Sequence, residues 1–85
     1  MRILIVEDNP SVPRMMVSFL SRLAGEIDEC GDGAEALTAY SKRRSDWVLM
    51  DIKMAEVDGL TATRQIKAQF PDAKIIIVPI TTMKT

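Results

Sequence analysis

Two apolar runs in this chain end on carboxylates. "RILIV" (2–6) runs into Glu7 and Asp8, and "WVLM" (47–50) runs into Asp51. A short continuous apolar run bounded by charge reads as a strand buried on both faces. In an open α/β sheet, sites lie beyond the carboxyl ends of the strands, where the strand order reverses. If these two strands are neighbours, three carboxylates converge on one edge. Like charges that close need a counter-ion. Hard oxygen ligands in an incomplete cage suit Mg²⁺, which keeps several waters and often takes a phosphate oxygen. A carboxylate beside bound Mg²⁺ can also attack phosphorus and become an aspartyl phosphate. Taken singly, each acid reads equally well as a cap of the turn or helix that follows its strand. The acidic pair after one strand, together with the lone acid after the other, is the more specific pattern.

The elements that must position these acids alternate. After the first strand, "NPSVPRMMVSFLSRLAG" places Val12, Met15, Met16, Phe19, Leu20 and Leu23 at helical spacing. Pro13 suits its first turn and Gly25 its C-terminal end. The methionine pair reads as core packing. "EIDEC" (26–30) reads as a short edge strand. Asp32 and Glu35 form a capping box that opens a second helix over "GAEALTAYSKRR". "WVLMD" (47–51) is the third strand. Asp58 is the N-cap of a third helix over 58–70, with Gly59, Thr63, Ile66 and Phe70 on one face, and Pro71-Asp72 stops it. "KIIIV" (74–78) is the fourth strand. The order β-α-β-α-β-α-β predicts an α/β fold: a doubly wound parallel sheet with helices on both faces and right-handed crossovers.

Composition narrows the function classes. Eighty-five residues make one domain, and a chain this short buries only about 60–65% of its unfolded surface. Apolar content of 47% and charged content of 27% are ordinary for a soluble protein. A net charge of −1 gives no footprint for nucleic acid or an anionic membrane. The Lys42-Arg43-Arg44 run reads as a solvated helix C-terminus, where cations complement the dipole, before it reads as a basic patch. There is no histidine, which excludes histidine-based catalysis and histidine-ligated metals. The single cysteine, Cys30, cannot form an intrachain disulfide and fits a reducing cytoplasm as a small buried residue. The run Ile3 to Val6 is too short for a signal peptide or a membrane span.

The sequence resembles the receiver domain of two-component response regulators. "ILIVEDNPSVPRMM" is similar to that family's first strand and acidic pair, and "CGDGAEAL" to its entry into the second helix. "VLMDIKMAEVDGLTATRQIKAQFPDAKIIIV" is similar to the block around its phosphoacceptor. The match covers residues 1 to 78. The resemblance implies a flavodoxin-like sheet in order 2-1-3-4-5, of which this chain carries 2-1-3-4. It implies that Asp51 accepts a phosphoryl group from a sensor histidine kinase, so the domain is a phosphoacceptor in a signalling pathway and not an enzyme. Asp8 is similar to the direct Mg²⁺ ligand, Glu7 to the ligand that acts through water, and Lys53 to the residue that offers its backbone carbonyl. A phosphohydrolase of the haloacid dehalogenase type also uses an aspartate after a strand, but it expects a second aspartate where this chain has Lys53.

Three features depart from the family pattern. Ala55 stands where proline is usual. Pro79 stands where a Ser or Thr contacts the phosphoryl group at the end of strand four, and it offers neither hydroxyl nor N–H. Thr81 or Thr82 would have to supply that contact from a bent backbone. The fourth helix, fifth strand and fifth helix are missing, and with them the strand-five lysine; Lys84 is too early to be it. The tail 79–85 is therefore atypical. Read one nucleotide earlier, its codons are compatible with "TDYDDED", a common continuation of receiver domains, in which only the glutamate is fixed by the code. A one-nucleotide insertion or deletion near codons 78 and 79 is the expected origin, with a deliberately or naturally shortened chain as the alternative. An uninterrupted reading frame ending at Thr85 would sink the frame-shift reading.

An unpaired fourth strand is a template for another chain, and the sheet face left uncovered is an apolar patch. A homodimer or higher oligomer is expected, most simply with two-fold symmetry. Two functions follow: a phosphorylation-dependent signalling domain, impaired in this chain, or a folded fragment that self-associates without signalling.

Overall fold

The computed structural model describes residues 1–8, 14–54 and 57–79, with the side chains of 14–16 outside that description. Within it the order is β1 (Arg2–Val6), α1 (Arg14–Ala24), β2 (Glu26–Cys30), a 3₁₀ turn (Gly33–Glu35), α2 (Ala36–Arg43), β3 (Trp47–Asp51), α3 (Gly59–Gln69) and β4 (Ile75–Val78). The four strands form one parallel sheet in the order β2-β1-β3-β4. This is the expected doubly wound α/β arrangement, with the acid-tipped strands β1 and β3 side by side at its centre.

Strand periodicity divides the core in two. Leu4 and Val6 of β1, with Val48 and Met50 of β3, point to the face covered by α2 and α3, where they pack with Ala36, Tyr40, Ala62 and Ile66. Ile3 and Ile5 point to the other face and pack with Ala24 of α1, flanked by Val17, Leu20, Trp47, Leu49 and Val78. Leu4, Ile5, Val6, Val48 and Met50 are all fully buried. Each such side chain contributes roughly 1.5–3 kcal/mol of burial free energy. That concentration in two adjacent strands makes the centre of the sheet its most stable part.

Several local expectations are refined. The Asp32 cap forms, with the Glu35 amide donating to Asp32 Oδ1 at 2.8 Å, but it opens the 3₁₀ turn and α2 proper begins at Ala36. Helix α1 buries Ala24 and half-buries Val17 and Leu20, while Phe19 and Leu23 are 58% and 63% exposed. Phe19 and Leu23 were expected on the packed face. The helix instead turns the Val17–Leu20–Ala24 stripe to the sheet and carries those two residues off it. Strand β4 begins at Ile75 and pairs, among the described residues, with β3 alone; its side chains are only half-buried and Ile76 is 42% exposed. Val12 and Pro13 lie outside the described residues.

Candidate metal-binding carboxylate site

Register brings the acids together. Ile3 pairs with Trp47 and Val6 with Met50, so the next step along each strand sets Glu7 level with Asp51. Asp51 in turn pairs with Val78 of β4. The chain is held in place on both sides: the Glu7 amide donates to Cys30 O at 3.1 Å, and the Ile52 amide to Val78 O at 3.1 Å. As a result, one carboxylate oxygen each from Glu7, Asp8 and Asp51 lies within 4.8 Å of the others. Asp51 is fully buried and Asp8 half-buried. Three hard oxygen donors converging from two strands fit a small divalent cation better than they fit one another. The donor set therefore suits Mg²⁺, whose remaining positions stay open to water or an incoming oxygen anion.

The loop after β3 is anchored to the same acid. The Lys53 amide donates to Asp51 Oδ1 at 3.3 Å, and Lys53 is exposed. Asp58 caps α3, its Oδ1 accepting the Thr61 amide at 2.8 Å. That hydrogen bond, more than the neighbouring Arg64 charge, holds the Asp58 carboxyl below the usual range. Between them sits a contact the sequence reading missed. The Gly59 amide donates to Ile52 O, and a Cβ built on Gly59 would meet the Asp51 carbonyl oxygen at 2.3 Å. The sequence placed Gly59 only on a helix face; the signal was the Asp58-Gly59 pair at the helix entry, where a small residue allows backbone to approach backbone.

Of the residues singled out by sequence, Glu7, Asp8 and Asp51 are thus brought together, and Lys53 adjoins them. Pro79 follows directly on Val78, one residue beyond the level of Asp51. Ala55, Thr81, Thr82 and Lys84 lie outside the described residues. Cys30 is buried, as expected, its thiol donating to Asp32 O at 3.2 Å; burial pushes that thiol above its ordinary pKa. A buried thiol so shifted is chemically quiet. No described helix is long and apolar enough to cross a membrane.

Comparison with known proteins agrees with this geometry. The response regulator receiver domain family matches residues 3–85, a span that includes the tail after Val78. The chain belongs to that family, whose members receive phosphoryl groups in two-component signalling. Protein-glutamate methylesterase/protein-glutamine glutaminase 3 of Anaeromyxobacter dehalogenans is 37% identical over 81 residues, which are 93% of this chain and 24% of that protein. The response regulator TrrA of Thermotoga maritima, solved with Mg²⁺ and BeF, is 36% identical with a TM-score of 0.81, over 89% of this chain and 66% of that one. The receiver domain of the sensor histidine kinase PA1611 of Pseudomonas aeruginosa, with a magnesium ion in its active-site cleft, is 33% identical with a TM-score of 0.75, over 89% and 64%. The chain therefore spans about two thirds of these solved receiver chains and about a quarter of the methylesterase.

Proposed function

We propose that Asp51 is the phosphoacceptor of a cytoplasmic two-component receiver domain formed by residues 1–85. The observation that carries this is the meeting of the Glu7, Asp8 and Asp51 carboxylates within 4.8 Å at the carboxyl ends of β1 and β3. Asp8 and Asp51 would hold Mg²⁺ directly, Lys53 through its backbone carbonyl and Glu7 through a water. Bound there, the ion supplies positive charge against the acid cluster and the phosphoryl oxygens. A carboxylate oxygen of Asp51 attacks phosphorus while the bond from phosphorus to the donor breaks, and the electron pair leaves on the donor. With a sensor histidine kinase that leaving atom is an imidazole nitrogen, which takes up a proton; with acetyl phosphate it is the acetate oxygen. A kinase partner is supported by TrrA, which has been solved in complex with the histidine kinase ThkA. Burial of Asp51 and the hydrogen bond from the Lys53 amide fix the nucleophile's orientation.

The test is intact mass after incubation with Mg²⁺ and acetyl phosphate. A phosphoryl adduct is expected on the wild-type chain and none on Asp51→Asn. A folded wild-type sample that takes no adduct overturns the assignment.

Pro79 favours a second reading for the output. A residue with no hydroxyl and no N–H at the end of β4 cannot contact the phosphoryl group as a Ser or Thr does, so the new charge is poorly read out unless Thr81 or Thr82 bends in. On this reading the chain folds and self-associates without signalling. The partner surface is the β4 edge with the exposed Ile76, and the product a homodimer. Light scattering at micromolar concentration should show a dimer or larger; a monomer there refutes it.

A further inference from the structure

Parallel β-α alternation sends strand starts and helix ends to one edge of the sheet, and strand ends with helix starts to the other. Seven of the described basic residues gather on the first of these edges. Arg2, at the start of β1, is ion-paired with Glu26 and with Asp28 (2.8 Å). Arg43, at the end of α2, reaches Asp28 at 3.5 Å. Arg44 lies 4.2 Å over the Phe70 ring, and Lys74, just before β4, 5.4 Å over Trp47. Lys67 Nζ caps the carbonyls of Pro71 and Ala73 at 2.8 and 2.9 Å. Arg22 and Lys42 close the last turns of α1 and α2. All of these belong to the edge remote from Asp51.

On the edge that carries the acids, Lys53 stands two residues beyond Asp51, Arg64 of α3 acts on the Asp58 cap, and Arg14 opens α1 with its side chain outside the described residues. The Lys53 backbone is fixed by the amide bond to Asp51 Oδ1, its side chain is exposed, and among the described residues its ammonium enters no ion pair or ring contact. A four-carbon stem on an anchored backbone gives a strongly hydrated point charge free to swing over the site. A phosphoryl donor brings at least one further negative charge to a place where three carboxylates already meet. A mobile cation at that mouth lowers the repulsion on approach and pairs with a phosphoryl oxygen as it arrives.

We propose that the Lys53 side chain is the phosphoryl-binding cation of this site, guiding an anionic phosphoryl donor onto Asp51. This rests on Asp51 being the phosphoacceptor, and the experiment separates the two. Lys53→Gln and Lys53→Arg are compared with wild type in two measurements: the initial rate of adduct formation from acetyl phosphate, and the Mg²⁺ dissociation constant by calorimetry. Lys53 is exposed, so both variants should fold with an unchanged urea midpoint. Lys53→Gln should form adduct about tenfold more slowly at low salt, as loss of one nearby charge pair implies. That deficit should shrink toward none in roughly 1 M salt, where screening acts over about 3 Å. Lys53→Arg should recover most of the rate. Mg²⁺ should bind Lys53→Gln several-fold more tightly, because a like charge has left the mouth.

An adduct rate for Lys53→Gln within about twofold of wild type overturns the proposal while Asp51 stands. So does a deficit of the same size in Lys53→Arg or in high salt, since that marks a structural effect. If the wild-type chain takes no adduct, the phosphoacceptor reading falls and Mg²⁺ affinity alone decides the position of the cation. Tightening in Lys53→Gln then supports its place over the carboxylates, and an unchanged constant removes it.

Discussion

At the strand-start edge of the sheet, charge is consumed by structure. Arg2 bridges Glu26 and Asp28, Arg43 reaches the same Asp28, and Arg44 stacks on a Phe70 ring that itself meets Tyr40 edge-on at 5.2 Å. At the strand-end edge three carboxylates gather, with Lys53 standing beside them. Both edges carry acids from strands and loops; at the strand-start edge Arg2 and Arg43 clasp Glu26 and Asp28. Charges that are matched within the chain clasp helices to the sheet; charges that are gathered with the same sign make a place for a cation or a phosphoryl group. The polarity comes from the topology, since helix ends that favour cations and helix starts that favour anions are segregated by parallel winding.

The largest expected effect breaks the site edge while leaving the clasp intact. In Gly59→Ala the new Cβ cannot coexist with the Asp51 carbonyl oxygen 2.3 Å away, and the obstacle is backbone, which has no rotamer to change. The loop or the end of β3 must shift. Overpacking of this kind costs about 1–3 kcal/mol, and because Asp51 itself is displaced, Mg²⁺ affinity should weaken several-fold as well. Gly31→Ala is the control, since a Cβ there meets nothing within 4 Å. Urea unfolding and calorimetric Mg²⁺ titration should show both losses in Gly59→Ala and neither in Gly31→Ala. Lost stability with unchanged Mg²⁺ affinity would mean that the contact supports the helix entry and not the acid.

Much of this contrast was legible in the residues. "RILIVED" and "WVLMD" marked two strands because continuous apolar runs admit few other readings, and the three acids had to follow where those runs ended. That the two strands are neighbours, so that Glu7, Asp8 and Asp51 meet, was an expectation carried by the resemblance to receiver domains, since parallel winding alone leaves the strand order open. The face of α1 was not legible. Val17, Leu20 and Ala24 compete with Phe19 and Leu23 for the sheet, and the choice depends on how the helix crosses it, which no local period records. The clasp was illegible for a similar reason. Arg44 adopts a left-handed conformation at the end of α2 (φ 38°) and meets Phe70 from the end of α3, a pairing across 26 positions that spacing does not announce. Gly59 was visible as a residue but not as a contact, because its role depends on a carbonyl eight positions earlier in sequence.

A smaller effect separates the two edges by pH. Asp58 accepts the Thr61 amide in the folded chain, which holds its carboxyl below the ordinary 3.8. A carboxyl depressed on folding stabilises the native state above its unfolded pKa, and that contribution is lost as pH falls through the folded value. Asp58→Ala should therefore unfold at lower urea than wild type at pH 7, with the gap closing below about pH 4, where the wild-type carboxyl takes up its proton. Asn keeps an acceptor for Thr61, so Asp58→Asn should retain much of the cap and lose its pH dependence. Arg2 behaves oppositely. Its hydrogen bond to Asp28, together with the nearby Glu26 and Asp28 charges, raises the guanidinium above its already high ordinary value, against the opposing effect of desolvation. The stability it contributes is present below its unfolded pKa and would be lost only as pH rose through the raised folded value, beyond any usable range. The wild-type-minus-Asp58→Ala difference in urea midpoint from pH 7 to pH 3 thus reports the site edge alone. A difference that stayed constant over that range would mean that Asp58 acts through packing at the helix entry and not through its charge.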